Sequence, residues 1–299
     1  MKDQINSVHV SVLLKETIDG LNLEGKTFVL DGTFGGGGHS LEICKRYPNL
    51  KIVAVDQDKS AWDKAKSKFK NIKSEIVFIN SNFKDLDKLK EKDFDGIVLD
   101  LGLSSDQLEN SKRGFSFTKD EPLLMTMKEN PNENDLTARE IVNTWEEKNI
   151  ADIIYGYGEE RFSRKIAKGI VEARKKEKIE TTFQLVKIIE SSVPGSYRKG
   201  RLHFATRTFQ ALRIAVNDEL GALKEGLEKG FEVLKVGGRM SVISFHSLED
   251  RIVKNFFREK QKQDKVKLIN KKPITANIEE IKINPRSRSA KLRILEKIN

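Results

Sequence analysis

The sequence has little cysteine, little histidine and no long apolar run. A single cysteine, Cys44, among 299 residues excludes an internal disulfide and any zinc pattern built on paired thiolates, and leaves a small buried hydrophobe as its expected role. No stretch reaches the roughly 18 uninterrupted apolar residues of a bilayer span, and the N-terminal "MKDQINSVHV" lacks the apolar centre of a secretory signal. Membrane insertion and secretion are therefore not expected, and the cytoplasm is. Neither an internal repeat nor a low-complexity linker interrupts the chain. What is there is a 37 % hydrophobic content, enough for a buried core in one large domain or two moderate ones.

Charge is unevenly placed. Residues 251–299 carry 15 Lys and Arg against 5 Asp and Glu, while the preceding 250 residues balance at 40 against 40. The whole net charge of +10 therefore sits at the C-terminal end. A basic surface concentrated in this way suits a polyanion such as nucleic acid, although an evenly solvated tail gives the same count.

Short apolar segments alternate with helix-length ones. "TFVLDGT" (27–33), "KIVAVD" (51–56), "EIVFIN" (75–80) and "FDGIVLD" (94–100) read as strands, with helices expected over 38–47, 58–70 and 84–91. This rhythm predicts parallel βαβ units, with ligands at the carboxyl ends of the strands. It changes after 107: residues 108–215 hold charged, helically spaced segments and almost no β-branched runs. Val216, Leu220, Leu223, Leu227, Phe231 and Leu234 then recur at intervals of three and four, predicting one apolar helix face stopped by Gly237 and Gly238 before a fifth strand at 239–245. The expected architecture is an α/β domain formed by 1–107 and 216–299, interrupted by a helical domain over 108–215.

"DGTFGGGGHS" (31–40) places four glycines between the first strand and a helix start. Glycine admits positive φ and close approach of a ligand, and the helix start offers unpaired N–H groups. Asp56 ends the second strand about 20 residues on, where a carboxylate can accept from both hydroxyls of a ribose. The loop fits the dinucleotide pattern G-x-G-x-x-G poorly, and the Asp31 carboxylate would face a pyrophosphate unfavourably. S-adenosylmethionine carries a cationic sulfonium instead, which favours a methyltransferase. A nicotinamide-dependent oxidoreductase and a non-catalytic RNA-binding protein remain as alternatives from other classes.

Further candidates follow from strand ends. Asp100, in "LDLGLSSDQL" (99–108), would lie beside the methionine part of the donor, or would cap a turn through its own backbone. Phe83, beyond the third strand, could stack on adenine or pack in the core. His246 in "ISFHSLED" has equally a substrate-contact and a helix-capping reading. His203 and His9 are isolated residues without ligand spacing, expected to be structural or solvent-facing. "NPRSRSAKLR" (284–293) offers Arg286, Arg288, Lys291 and Arg293 for phosphates, or is an exposed cationic loop without a partner.

Eight blocks, in order, give the chain a specific resemblance: "HVSVLL" (9–14), "DGTFGGGGHS", "LDLGLSSDQL", "RGFSF" (113–117), "YGEERFSRKIA" (157–167), "ATRTFQALRIAVNDEL" (205–220), "GGRMSVISFHSLEDRIVK" (237–254) and "NPRSRSAKLR". It closely resembles the bacterial small-subunit ribosomal RNA cytosine-N4 methyltransferases, the MraW/RsmH family. The resemblance implies a Rossmann-like class I methyltransferase domain with an inserted helical domain. It also implies S-adenosylmethionine-dependent methylation of the exocyclic N4 of a decoding-region cytidine, within small-subunit RNA of an assembled 30S subunit. On the family pattern the cofactor contacts fall at Gly37, Gly38, His39, Asp56, Phe83, Asp100 and Gln107. Asp100 is the leading catalytic candidate, with a backbone carbonyl of the 100–105 loop as the alternative. His246, Arg286 and Arg288 are RNA-contact candidates, and the chemistry requires no metal. The chain departs from the pattern at Asp106 and Phe204, each in place of proline, and at Leu124, Thr126 and Lys128 in "DEPLLMTMK" (120–128).

Overall fold

The structure is a computed structural model that describes residues 11–128, 132 and 134–299; His9 and the start of the block at 9–14 lie outside them. The chain forms two compact units, Met1–Gly102 with Leu220–Asn299, and Leu103–Glu219.

The first unit opens with α1 (Leu14–Leu21), β1 (Phe28–Asp31), α2 (Gly38–Arg46), β2 (Lys51–Asp56), α3 (Lys59–Ala65), β3 (Glu75–Asn80) and β4 (Phe94–Asp100). The second unit holds α4 (Ser105–Asn110), α5 (Ala138–Thr144), α6 (Glu147–Gly158), α7 (Ser163–Arg174), α8 (Thr182–Ser192), α9 (Gly195–Arg198) and α10 (Thr206–Asn217). The chain then runs through α11 (Glu219–Val233), β5 (Leu234–Ser244), α12 (Ser247–Lys262), β6 (Val266–Leu268), α13 (Ile278–Ile283) and β7 (Lys291–Lys297).

The strands form one sheet in the order β3-β2-β1-β4-β5-β7-β6. β1 to β5 are parallel, and β7 runs antiparallel between β5 and β6. Central strands are apolar on both faces because helices cover both. Val29, Ile52 and Val98 enter one core cluster while their neighbours Leu30, Val53, Ile97 and Leu99 enter another. This is the two-residue alternation of a strand buried on either side. The four expected N-terminal strands form within a few residues of their predicted ends, and each parallel strand delivers its last residue to the same edge of the sheet.

Several expectations are corrected. The expected helix at 84–91 is a 3-10 segment, Phe83–Lys88, with a non-helical Asp85 inside it; Asn82 caps it by accepting from the Lys84 N–H. The expected helix at 58–70 ends at Ala65 and passes into a 3-10 turn, Lys66–Phe69. The single apolar helix from Val216 to Leu234 is three elements. Asp218, at φ 45°, ends α10 after Asn217, so Val216 packs in the core of the second unit, and Leu234 already belongs to β5. Gly237 and Gly238 do not stop a helix. They lie inside β5, where pairing with β4 jumps from Phe94↔Leu234 to Gly96↔Arg239. A Cβ on Gly238 would stand 2.8 Å from the Lys235 carbonyl oxygen and 2.9 Å from that of Phe94, so the irregular pairing itself demands glycine. The units divide after Gly102 and Glu219, since α10 continues unbroken through 215.

The second unit is helical with its own core, in which Ile141, Ile150, Ile154, Ile166, Ile170, Leu185, Ile189 and Leu212 are fully buried. Isoleucine and leucine at helical spacing supply it. Thr181 and Gln184 form a capping box at the start of α8, which settles where that helix begins.

Candidate active site

The residues at the carboxyl edge of β1, β2 and β4 converge on the glycine loop. Gly37 is the N-cap of α2, at φ 73°. A Cβ there would lie 2.6 Å from Phe34 Cζ and 3.0 Å from Phe69 Cε2, and a Cβ on Gly38 would collide with Ser11 Oγ. These two positions exclude side chains because of the protein's own packing, a correction to the expectation that a ligand alone requires them. Gly36 is the open one, with nothing within 4 Å of a Cβ placed there.

Three aspartates end neighbouring strands. Asp31 is buried, accepts from Ser40 Oγ at 2.6 Å and from the Thr33 N–H at 3.3 Å, and burial still pushes its pKa up to about 6. Asp56 accepts from the Gly35 N–H at 2.7 Å through Oδ2 and from the Asp58 N–H at 2.8 Å through Oδ1. Its pKa also rises to about 6, chiefly through burial. Asp56 therefore ties the glycine loop to β2, and each oxygen keeps a second lone pair for a hydroxyl.

Asp100 is held differently. Its backbone N–H donates to Thr33 Oγ1 at 2.6 Å, but its side-chain Oδ1 is buried without a hydrogen-bond partner. Burial first, then the like charges of Asp31 and Glu249, push its pKa up to about 8. His39 Nδ1 stands 3.7 Å from Asp100 Oδ2. A carbonyl can only accept, so the 3.2 Å contact of His39 Nε2 with the Val12 oxygen places a hydrogen on Nε2. A buried acid whose free oxygen is surrounded by carboxyl groups is poised to receive a positive charge or a hydrogen-bond donor.

The remaining candidates are spread more widely. Phe83 is half-buried against the sheet core. A Cβ on Gly226 of α11 would overlap its ring, and one on Gly32 would lie 3.7 Å from its Cβ, so Phe83 flanks the end of β1 and packs on α11 at once. Gln107 belongs to the second unit, where its Oε1 accepts from the Ser104 N–H at 3.0 Å and its own N–H donates to Ser104 Oγ at 3.1 Å, a capping box for α4. His246 is the N-cap of α12: Nδ1 accepts from the Glu249 N–H, while Glu249 Oε2 accepts from the Phe245 and His246 N–H groups. Arg286 and Arg288 lie on a 3-10 turn, Pro285–Ser289, with Arg288 exposed. Lys291 and Arg293 are not loop cations. They sit on β7 and pair with Asp250 at 3.2 and 2.7 Å, because antiparallel pairing with β5 lays this segment into the sheet. His203 stacks between Phe117 and Phe204, with centroids 4.5 and 4.2 Å away.

Glu249 and Thr33 were not singled out from sequence. Glu249 had a legible signal, an acid three residues after a capping position; Thr33 had none.

Residues 6–298 match the MraW methylase family. The chain belongs to this family of S-adenosylmethionine-dependent methyltransferases. It is similar to "Ribosomal RNA small subunit methyltransferase H" of Sulfurihydrogenibium sp. (strain YO3AOP1), 49 % identical over 295 residues covering 97 % of this chain and 99 % of the relative. Proteins of the same name from Persephonella marina (strain DSM 14350 / EX-H1) and Trichodesmium erythraeum (strain IMS101) are 45 % and 46 % identical, again over 97 % of this chain and 99 % of each relative. The residues present fit a cationic methyl donor. The orphaned Asp100 oxygen, two further aspartates, and open space at Gly36 form an edge that an additional anion would meet with repulsion and a sulfonium would not. No helix among the described residues is long and apolar enough to cross a membrane.

Proposed function

We propose that this MraW family member methylates the exocyclic N4 of a decoding-region cytidine in small-subunit ribosomal RNA, acting in the cytoplasm on the assembled 30S subunit. The relatives' names support the RNA class. The single observation that carries the chemistry is Asp100 Oδ1, buried, unpaired and at the carboxyl end of β4.

In this reading Gly37, Gly38, His39, Asp56, Phe83, Asp100 and Gln107 hold the donor, whose sulfonium supplies an activated methyl carbon. Asp56 accepts from ribose hydroxyls with the lone pairs that Gly35 and Asp58 leave free. Phe83 offers a ring at the adenine end. The nucleophile is poor, because the N4 lone pair is delocalised into the pyrimidine ring. Orientation is the largest contribution asked of the protein, and well-aligned intramolecular reactions suggest on the order of 7–11 kcal/mol is available from it. Asp100 Oδ1 accepts from an N4 hydrogen, which localises the lone pair, and takes the proton as the N–C bond forms. The neighbouring Asp31 and Glu249 charges favour the protonated product of that step. The helical unit, residues 103–219, recognises the RNA fold around the extruded base, with His246, Arg286 and Arg288 as further contacts.

The test is mass spectrometry of small-subunit RNA from cells lacking the protein. One N4-methylcytidine disappears and returns with the wild-type gene but not with Asp100→Ala. Persistence of that methyl group in the deletion strain refutes the reading.

A further inference from the structure

A chain of contacts leads to the Asp100 carboxyl from the far end of the sequence. Glu280, on α13, accepts from the Leu13 N–H at 2.8 Å through Oε1, across 267 positions. Leu13 is fully buried and left-handed, at φ 49° and ψ 37°. A leucine adopts that conformation only at a cost, so something must hold it there. The conformation aims the preceding peptide: the Val12 carbonyl accepts from His39 Nε2, and Ser11 lies against Gly38 at the start of α2. With its hydrogen committed to Val12, neutral His39 turns the Nδ1 lone pair toward Asp100 Oδ2, 3.7 Å away.

We propose that Glu280 is a positioning residue for methyl transfer: by pinning left-handed Leu13 it fixes the tautomer of His39, which in turn presents a lone pair to Asp100 Oδ2 and leaves Oδ1 free for substrate. The inference rests on the reading of Asp100 given above, but its first readout needs neither donor nor RNA. Every link is a contact within the first unit. The groups facing Asp100 are Asp31 from the end of β1, His39 from α2 and Glu249 from α12, and none of them is altered by a change at Glu280.

Two substitutions separate contact from charge. Glu280→Gln keeps an oxygen that can accept from Leu13 and removes the charge; Glu280→Asp keeps the charge and withdraws the oxygen by one methylene. Histidine-selective nitrogen NMR of the full chain, which has four histidines, reports the His39 tautomer directly, with His39→Asn for assignment. Wild type and Glu280→Gln show His39 as a single Nε2–H tautomer, and Glu280→Asp shows a mixture. The second readout is the pH midpoint of S-adenosylmethionine binding. Losing the lone pair that supports the neutral acid lowers that midpoint in Glu280→Asp by about 0.7 pH unit, the worth of one ordinary hydrogen bond. General loosening of the fold would weaken binding at every pH without moving the midpoint. A single Nε2–H tautomer with an unmoved midpoint in Glu280→Asp overturns the proposal, as does a Glu280→Gln protein that behaves like Glu280→Asp. Persistence of N4-methylcytidine in the deletion strain would refute the cytidine assignment and leave the tautomer result standing.

Discussion

Donor affinity should rise with pH, because Asp100 must lose a proton to face a sulfonium. Its carboxyl, lifted to about 8 by burial and by Asp31 and Glu249, is protonated near neutrality in the donor-free protein. A cation brought beside it stabilises the ionised form, so binding and deprotonation are linked. If the ionised form alone binds, the competent fraction is about 1 % at pH 6 and about half at pH 8, which makes binding about 50-fold tighter at the higher pH. Isothermal titration of S-adenosylmethionine between pH 6 and 9 reads this directly. Repetition in buffers of different ionisation enthalpy should show about 0.9 proton released at pH 7. Asp31 and Asp56, both lifted to about 6, add a shoulder at the acid end that persists in Asp100→Asn, so the difference between the two proteins isolates Asp100. S-adenosylhomocysteine, whose sulfur is neutral, should show a much shallower rise. A wild-type affinity that changes less than about threefold from pH 6 to 8, or a slope that Asp100→Asn leaves intact, refutes the electrostatic argument.

Other outcomes follow from the same geometry. Asp100 holds its proton in the folded state but not in the unfolded chain between pH about 4 and about 8, so donor-free stability falls as pH rises through that window. Thermal unfolding at pH 5, 7 and 9 should bring Asp100→Asn above wild type by on the order of 2 kcal/mol at the alkaline end, and parallel curves would contradict this. Gly37→Ala places a Cβ against Phe34 in a left-handed backbone and should cost about 1–3 kcal/mol in urea unfolding. Gly36→Ala, with open space around it, should leave stability within about 0.5 kcal/mol while weakening donor binding. Arg288→Gln, on an exposed turn, should lower the salt slope of RNA binding by about one without changing the melting temperature; an unchanged slope removes Arg288 from the interface.

Much of the site was legible because strand ends are local features. Apolar runs such as "KIVAVD" can be buried only as central strands, and the polar residue that ends each run must emerge at the sheet edge, so Asp31, Asp56 and Asp100 announce themselves. Glycines are less transparent. Four in a row signal a constrained backbone, but only packing reveals that Phe34 and Ser11 crowd Gly37 and Gly38 while Gly36 stands open. Gly237 and Gly238 misled for the same reason: a helix end and an irregular strand pairing make the same conformational demand. The C-terminal charge was read correctly in amount and incompletely in placement, since Lys291 and Arg293 are spent on Asp250.

Taken by itself, the sequence determined the alternation of strand and helix, the acids at the strand ends, the helical character of the middle segment and, through eight ordered blocks, the family. All of these depend on residues near one another in the chain, or on patterns that survive without coordinates. Tertiary structure decided what depends on distant partners: that β7 inserts antiparallel beside β5, that Asp31 and Glu249 together keep a proton on Asp100, and that Glu280 reaches Leu13. Electrostatic and hydrogen-bond energies depend on separation in space, and separation in sequence carries no record of it.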